Sequence, residues 1–239
     1  MKKTVCTIKE HHVILKDHQL EHGSPKKPAE PADPYAWIEA RRADCLKQGK
    51  FRDYYFTFAG SEGAQAFFRI QDRLQDNEYW ELAAIAWTAA TLIEPDTLMW
   101  MRVLQAKRPR RELLMTADEH AALAAMPDEI QIWRGCEREA HIHGMSWTID
   151  KNWAEWFATR RQRPHAPRVV LASAFCRKSD VLAYFTNRNE SEIVINSANL
   201  LRVQSEPITW PTQAYNPAVL AEKKLAKATA ASKRRKAPK

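Results

Sequence analysis

The stretch "GMSWTIDKNWAEWFA" (residues 144–158) has the alternation of a β-strand in its first part and the periodicity of a helix in its second, with no linker between them. Its first part alternates, so Ser146 and Thr148 would share one face of a strand while Trp147 packs on the other. From Asp150 onward the pattern is that of an amphipathic helix, and Asp150 is a typical N-cap. We therefore predict a short strand that leads directly into a helix.

Helical patterns precede this strand and helix, and β-rich runs flank them after Pro127. Predicted helices lie at 34–48, within 62–95, within 96–109 and at 116–127, the last with Thr116 and Glu119 as a capping box. Predicted strands are "EIQIWRG" (129–135), "RVVLASAFC" (168–176), "SEIVI" (191–195) and "LLRVQSEPITW" (200–210). Helices followed by strands predict an α+β fold.

Charge and composition divide the chain into four regions. Residues 211–239 carry eight Lys/Arg and one acid, which is +7 of the chain's net +8. The predicted regions are a flexible polar arm (1–32), a helical region (33–127), a β core (128–210) and a basic, disordered tail (211–239).

Composition also excludes several kinds of site. The chain has only six Gly and neither G-x-G-x-x-G nor a P-loop, so the usual phosphate-cradling loops are absent. Four Cys without C-x-x-C spacing predict reduced thiols. His141 and His143 alternate, but no third ligand stands at a suitable spacing, so we predict no metal. No signal peptide and no membrane span is evident, and we expect a cytoplasmic protein without a membrane partner.

Polar residues recur at the ends of three predicted strands. The carboxylates Glu190 and Glu192, separated by one residue, stand at the start of the strand near residue 191. A turn just before this strand would change the direction of the Glu190 side chain. Two negative charges this close either have different functional roles or lie in solvent at the edge of the sheet. The residues are Arg134 and Gly135 on the first strand, Ser146 and Thr148 on the second, and Glu190 and Glu192 on the later one.

In this order "WRG" (133–135), "SWT" (146–148) and "ESE" (190–192) resemble the mono-ADP-ribosyltransferase toxin family, in its cholera-toxin-like branch with Arg, Ser-x-Thr and Glu-x-Glu elements. The resemblance covers roughly residues 128–205. It implies a split, strand-rich ADP-ribosyltransferase-like β core with a cleft for NAD, which is consumed as a substrate, and no metal.

The resemblance assigns roles on the NAD side of the cleft. Arg134 would bind the pyrophosphate, since a guanidinium offers several donors in one plane. Gly135 would admit the ligand close to the backbone, and Thr148 would line the site. Phe157, on the helix after the Ser strand, would stack on the nicotinamide.

It also assigns the catalytic groups. Cleaving the nicotinamide–ribose bond develops an oxocarbenium cation, which Glu192 would stabilise while Ser146 holds its carboxylate in place. Glu190 would orient or deprotonate the incoming nucleophile.

The segment "CRKSDVLAYFTNRNESE" (176–192) corresponds to the family's acceptor-recognition loop, with Tyr184, Phe185 and Arg188 as candidates to grip the target. Glu-x-Glu resembles members that modify arginine side chains. Aromatic residues beside basic ones, together with the cationic tail, instead favour a nucleic-acid base, and this slightly outweighs the protein acceptor.

We therefore expect a toxin-like NAD-dependent mono-ADP-ribosyltransferase, of a phage-defence, toxin–antitoxin or prophage setting, that modifies RNA or DNA. Such an enzyme implies a neutralising antitoxin or immunity protein as partner. Three alternatives stay open: an arginine-specific protein ADP-ribosyltransferase, an NAD glycohydrolase, and a non-catalytic nucleic-acid-binding module.

Overall fold

A computed structural model describes residues 34–90, 93–160, 169–187 and 190–208, together with residue 217. The predicted arm and nearly all of the predicted tail lie outside these ranges. The chain divides into two compact units, residues 1–57 and 58–239. The boundary between the units therefore falls inside the predicted helical region rather than at its end.

The described part of the first unit is a pair of helices. Helix α1 (Pro34–Gln48) begins at the predicted proline, and Gly49 follows it with φ +70°. Only glycine adopts such a backbone cheaply, so the predicted stop is confirmed. After α2 (Phe51–Tyr55), the Arg42 guanidinium donates to the hydroxyl (3.2 Å) and the carbonyl (3.1 Å) of Thr57.

The second unit begins with helices that enclose an aromatic core. Phe67, Trp80, Trp87 and Trp100 are at most 2 % exposed, and Trp87 meets Trp100 edge to face at 5.1 Å between centroids. The helices are α3 (Gly63–Ile70), α4 (Asp76–Ala89), α5 (Thr97–Leu104) and α6 (Ala117–Ala125). The capping box at the start of α6 is confirmed, since Thr116 and Glu119 exchange both bonds.

In the part of the chain that the structure describes, six antiparallel strands follow and form one sheet in the order β4-β5-β2-β1-β3-β6. The strands are β1 (Glu129–Cys136), β2 (Ser146–Thr148), β3 (Val170–Arg177), β4 (Val181–Phe185), β5 (Glu192–Ile195) and β6 (Leu201–Pro207). Helix α7 (Lys151–Thr159) connects β2 to β3, and Asp150 caps it by accepting from the amide of Asn152 at 2.8 Å. The α+β class is thus confirmed.

Alternation along the strands gives the sheet two different faces. One face carries Ile132, Trp147 and Ile193, each at most 2 % exposed, in a hydrophobic cluster that residues of α6 pack against. The opposite face carries Trp133 and Thr148, which pair directly across β1 and β2. Helix α7 lies on this second face and contacts β1.

One expectation about the sheet differs from the structure. The segment "VLAYF", which the resemblance places in an acceptor loop, forms strand β4. The strands make one open sheet over the described residues, which is compatible with the expected core and does not establish that it is split. A discontinuity does exist within it: β1 and β3 pair over eight residues each, whereas β1 and β2 share the single pair Trp133 and Thr148.

No helix among the described ranges has both the length and the apolar composition needed to cross a bilayer.

Candidate functional site

A cleft of about 470 Å³ lies where the pairing between β1 and β2 stops. Its other wall is the C-terminal turn of α4 with the residues after it. The lining residues are Trp87, Thr88, Ala89, Ala90, Ile93, Pro95, Trp133, Arg134, Gly135, Cys136, Glu137, His141, Ser146, Trp147, Thr148, Phe157, Arg160, Glu190 and Glu192. The sequence-predicted residues from all three motifs, and Phe157, therefore meet in one cleft.

The serine and the second glutamate are in direct contact. Thr148 pairs with Glu192 across β2 and β5, so Ser146, two residues earlier, shares their face and lies diagonal to Glu192. The Ser146 hydroxyl donates a hydrogen bond to Glu192 Oε1. This bond fixes one carboxylate oxygen of Glu192 at the cleft wall, and the geometry is the one expected from the sequence.

Glu190 reaches the same cleft by a different route. Ser191 has φ +49°, and β5 begins only after it, so the strand alternation does not extend back to Glu190. The Thr148 hydroxyl donates to the Glu190 carbonyl oxygen at 2.7 Å, and the Ile149 amide donates to Ser191 O at 3.2 Å. The predicted turn before the strand is thus present.

Arg134 closes the gap between β1 and β2. Extending the register of their single pair would set Gly135 opposite Ser146, but no such pair forms. Instead Arg134 Nη1 donates to the Ser146 carbonyl oxygen at 2.5 Å, and Nε donates to the His141 carbonyl oxygen at 2.9 Å. A side chain has replaced ladder hydrogen bonds, which gives Arg134 a structural role that its sequence context did not indicate.

The two glycines nearest this gap are required by packing. A Cβ on Gly135 would overlap the Ala154 carbonyl oxygen and come within 2.5 Å of the Ala158 amide nitrogen, both in α7. The glycine therefore lets α7 contact β1, which is a different reason from the predicted approach of a ligand. A Cβ on Gly144 would overlap the Arg134 guanidinium.

Helix α7 and the residue that follows it supply an aromatic and a cationic side chain to the cleft. Phe157 is half-buried and lies 5.8 Å from the Trp153 ring, centroid to centroid. Arg160, three residues later, lies over the Phe157 ring at 4.6 Å and over Trp156 at 5.0 Å. Sequence reasoning missed Arg160, although the i, i+3 spacing from Phe157 on a predicted helix was the available signal.

The predicted acceptor-gripping residues need correction. Tyr184 and Phe185 are 5 % and 3 % exposed and belong to β4, where Tyr184 joins the hydrophobic cluster. Apolar burial in a strand leaves neither ring on a surface that a macromolecule could contact. Arg188 lies outside the described residues.

Among the residues that the structure describes, no three His, Cys, Asp or Glu side chains gather in a group that could hold a metal. His141 does line the cleft, but its interaction there is through its backbone carbonyl with Arg134.

Comparison of the chain with family models, with curated proteins and with solved structures finds no match. The functional conclusion therefore rests on the geometry of the cleft.

Proposed function

We propose that this protein is an NAD-dependent mono-ADP-ribosyltransferase whose substrate cleft is the one bounded by β1, β2, β5, α7 and the end of α4. The observation that carries the proposal is the hydrogen bond from Ser146 to Glu192 in a cleft that also contains Arg134, Phe157 and Glu190. A volume of about 470 Å³ falls in the range of sites for ligands of this size.

The charges of the cleft support a division of roles. The nicotinamide–ribose bond breaks with its electron pair on nicotinamide, and the ribosyl cation that develops needs a fixed anion beside it. Glu192 is that anion, since Ser146 holds one oxygen and thereby orients the carboxylate. Glu190 accepts the proton that the acceptor releases when it bonds to the ribose carbon.

Recognition of the NAD pyrophosphate is assigned to Arg134 together with Arg160, since both side chains line the cleft. Arg160 is exposed, and its guanidinium lies over the Phe157 ring at 4.6 Å. A guanidinium binds phosphate oxygens through several parallel donors. The nicotinamide would then stack on the Phe157 ring, which lines the cleft.

The acceptor is proposed to be nucleic acid, on the charge of residues 211–239, which would attract phosphates regardless of sequence. Burial of Tyr184 and Phe185 removes the base-stacking part of that argument. An arginine-bearing protein is the competing acceptor, and water is the acceptor of a glycohydrolase.

The test is incubation of the protein with adenylate-labelled NAD and a cell lysate, followed by digestion. Label released by nuclease identifies nucleic acid, label released by protease identifies protein, and free ADP-ribose alone identifies a hydrolase. Glu192→Gln should lower both transfer and hydrolysis by about 10²–10³-fold. Glu190→Ala should impair transfer and spare hydrolysis.

Glu139→Gln is the matched control, because Glu139 is an exposed glutamate outside the cleft lining. Its turnover should equal that of the wild type. Equal activity of wild type and Glu192→Gln would refute the proposal, as would a wild type that leaves NAD intact.

A further inference from the structure

Glu119 is a buried carboxylate outside the cleft lining, 4 % exposed, with donors on both of its oxygens. Within its own capping box, Oε2 accepts from the amide (2.8 Å) and the hydroxyl (3.0 Å) of Thr116. Oε1 accepts from the amide (2.8 Å) and the hydroxyl (3.1 Å) of Thr186, which lies 67 residues away. A helix cap needs only the first pair of bonds, so the second pair calls for another explanation.

The second pair belongs to a set of side chains that covers the outer edge of β4. This edge strand has no neighbouring strand among the described residues on the side away from β5, so its backbone groups need other partners. Three side chains spaced four residues apart supply them. The bonds join Arg111 Nη2 to Leu182 O (3.1 Å), Tyr184 N to Met115 Sδ (3.0 Å) and Thr186 N to Glu119 Oε1 (2.8 Å).

The last of these bonds lies at the start of the connection to the candidate catalytic glutamates. Thr186 follows β4 directly, and Glu190 is four residues further on. At the other end, Thr148 bonds to the Glu190 carbonyl oxygen at 2.7 Å. The Glu190 amide in turn donates to Asn187 O at 3.3 Å. Glu190 thus sits between an anchor on β2 and an anchor on Glu119.

We propose that Glu119 is a positioning residue that sets the location of Glu190 in the cleft, and so governs transfer to the acceptor more than cleavage of NAD. The inference rests on the proposed function, in which Glu190 serves the acceptor. Glu192 is held independently, by Ser146 and by its place in β5. Loss of the Glu119 anchor therefore displaces one carboxylate and leaves the other in place.

The experiment compares Glu119→Gln with Thr116→Ala. Glutamine keeps the size of the side chain but replaces the carboxylate that receives all four donors with a neutral amide, so the bonds to Thr186 weaken whichever oxygen the amide nitrogen replaces. Thr116→Ala removes the hydroxyl of the helix cap and leaves both bonds to Thr186. Thr186→Val removes the hydroxyl on the strand side with little change in shape.

Two quantities are measured with adenylate-labelled NAD and cell lysate: label bound to macromolecules and label released as free ADP-ribose. In Glu119→Gln the ratio of transfer to hydrolysis should fall at least about tenfold, since small displacements of a reacting group cost factors of that order. Thr116→Ala should keep the wild-type ratio of transfer to hydrolysis. The ratio in Thr186→Val should lie between those of Glu119→Gln and Thr116→Ala. Hydrogen exchange of the peptide covering 186–192 should accelerate in Glu119→Gln and stay unchanged in Thr116→Ala.

The outcomes separate the two proposals. A wild type that does not cleave NAD refutes the proposed function, and the inference with it. An active wild type whose ratio is unchanged in Glu119→Gln refutes the role of Glu119 alone. Equal loss of ratio in Glu119→Gln and Thr116→Ala also refutes it, because the effect would then follow from weakening the cap.

Discussion

Strand β1 has a regular neighbour on one edge and an irregular one on the other. With β3 it forms eight consecutive pairs, from Glu129 with Arg177 to Cys136 with Val170. With β2 it forms one pair, after which the Arg134 guanidinium bonds to the backbone instead. The regular side needs only backbone hydrogen bonds and burial. The irregular side opens the cleft, and particular side chains and glycines are required to maintain it.

Gly135→Ala should have the largest effect, on the irregular side, where α7 packs against β1. The added Cβ would meet backbone atoms of Ala154 and Ala158, which cannot rotate away, so α7 must move off β1. We expect a loss of about 3 kcal/mol in the free energy of unfolding, the upper part of the range for overpacking. Denaturant titration followed by tryptophan fluorescence would measure it.

Gly49→Ala is the control for that substitution. Gly49 has φ +70° but no atom within 4 Å of a new Cβ, so alanine there costs only the strain of a left-handed backbone, about 1 kcal/mol. Equal losses at the two positions would mean that contact with α7 is not the reason for Gly135.

Arg134→Met should break the irregular side. Methionine keeps an unbranched apolar stem but lacks the guanidinium that donates to the carbonyls of His141 and Ser146, which we expect to cost about 2 kcal/mol. Arg134→Lys separates the two roles of this residue. A role only in phosphate binding predicts that lysine keeps the stability, whereas closure of the gap predicts a loss close to that of methionine, since one ammonium cannot span both carbonyls.

Gly144→Ala should disturb the same gap more gently. Its Cβ would meet the Arg134 guanidinium, the far end of a flexible side chain, rather than backbone. We expect a loss of about 1 kcal/mol, measured by the same titration. In the double variant with Arg134→Met, this loss should disappear, because the colliding group is gone; simple additivity would contradict the assignment.

The individual strands and the start of α7 were largely predictable. Alternation predicted β1, β3 and β5, the Asp150 cap predicted the start of α7, and two-residue spacing placed Ser146 on one face with Thr148. Strand β4 is the exception, because the family resemblance places its five apolar residues in a loop. Local pattern favoured a buried strand there, and burial of Tyr184 and Phe185 follows from it.

The irregular side was less predictable because it depends on pairing. Arg134 bonds to backbone carbonyls that are left without strand partners where the pairing of β1 with β2 ends. No local sequence pattern determines the residue at which this pairing ends. The requirement for Gly135 likewise depends on where α7 crosses β1. The second pair of bonds at Glu119 joins residues 67 positions apart, whereas the capping box that predicted its first pair spans four residues.

A pair of identical substitutions, Ser191→Gly and Ser173→Gly, should give the smallest effects and the finest test of the comparison. Ser173 pairs in register with Trp133 in the regular pairing between β3 and β1, so glycine there should cost about 0.5–1 kcal/mol. Ser191 has φ +49°, a conformation that costs a non-glycine residue about 1–2 kcal/mol.

Glycine at position 191 relieves that strain while making the unfolded chain more flexible, so the two terms nearly cancel. We expect Ser191→Gly to leave stability unchanged or to raise it by about 0.5 kcal/mol. Denaturant midpoints of the two variants would be compared at one protein concentration. A loss at 191 as large as that at 173 would mean that the serine side chain itself maintains the turn between the two glutamates, and that backbone conformation alone does not explain how Glu190 reaches the cleft.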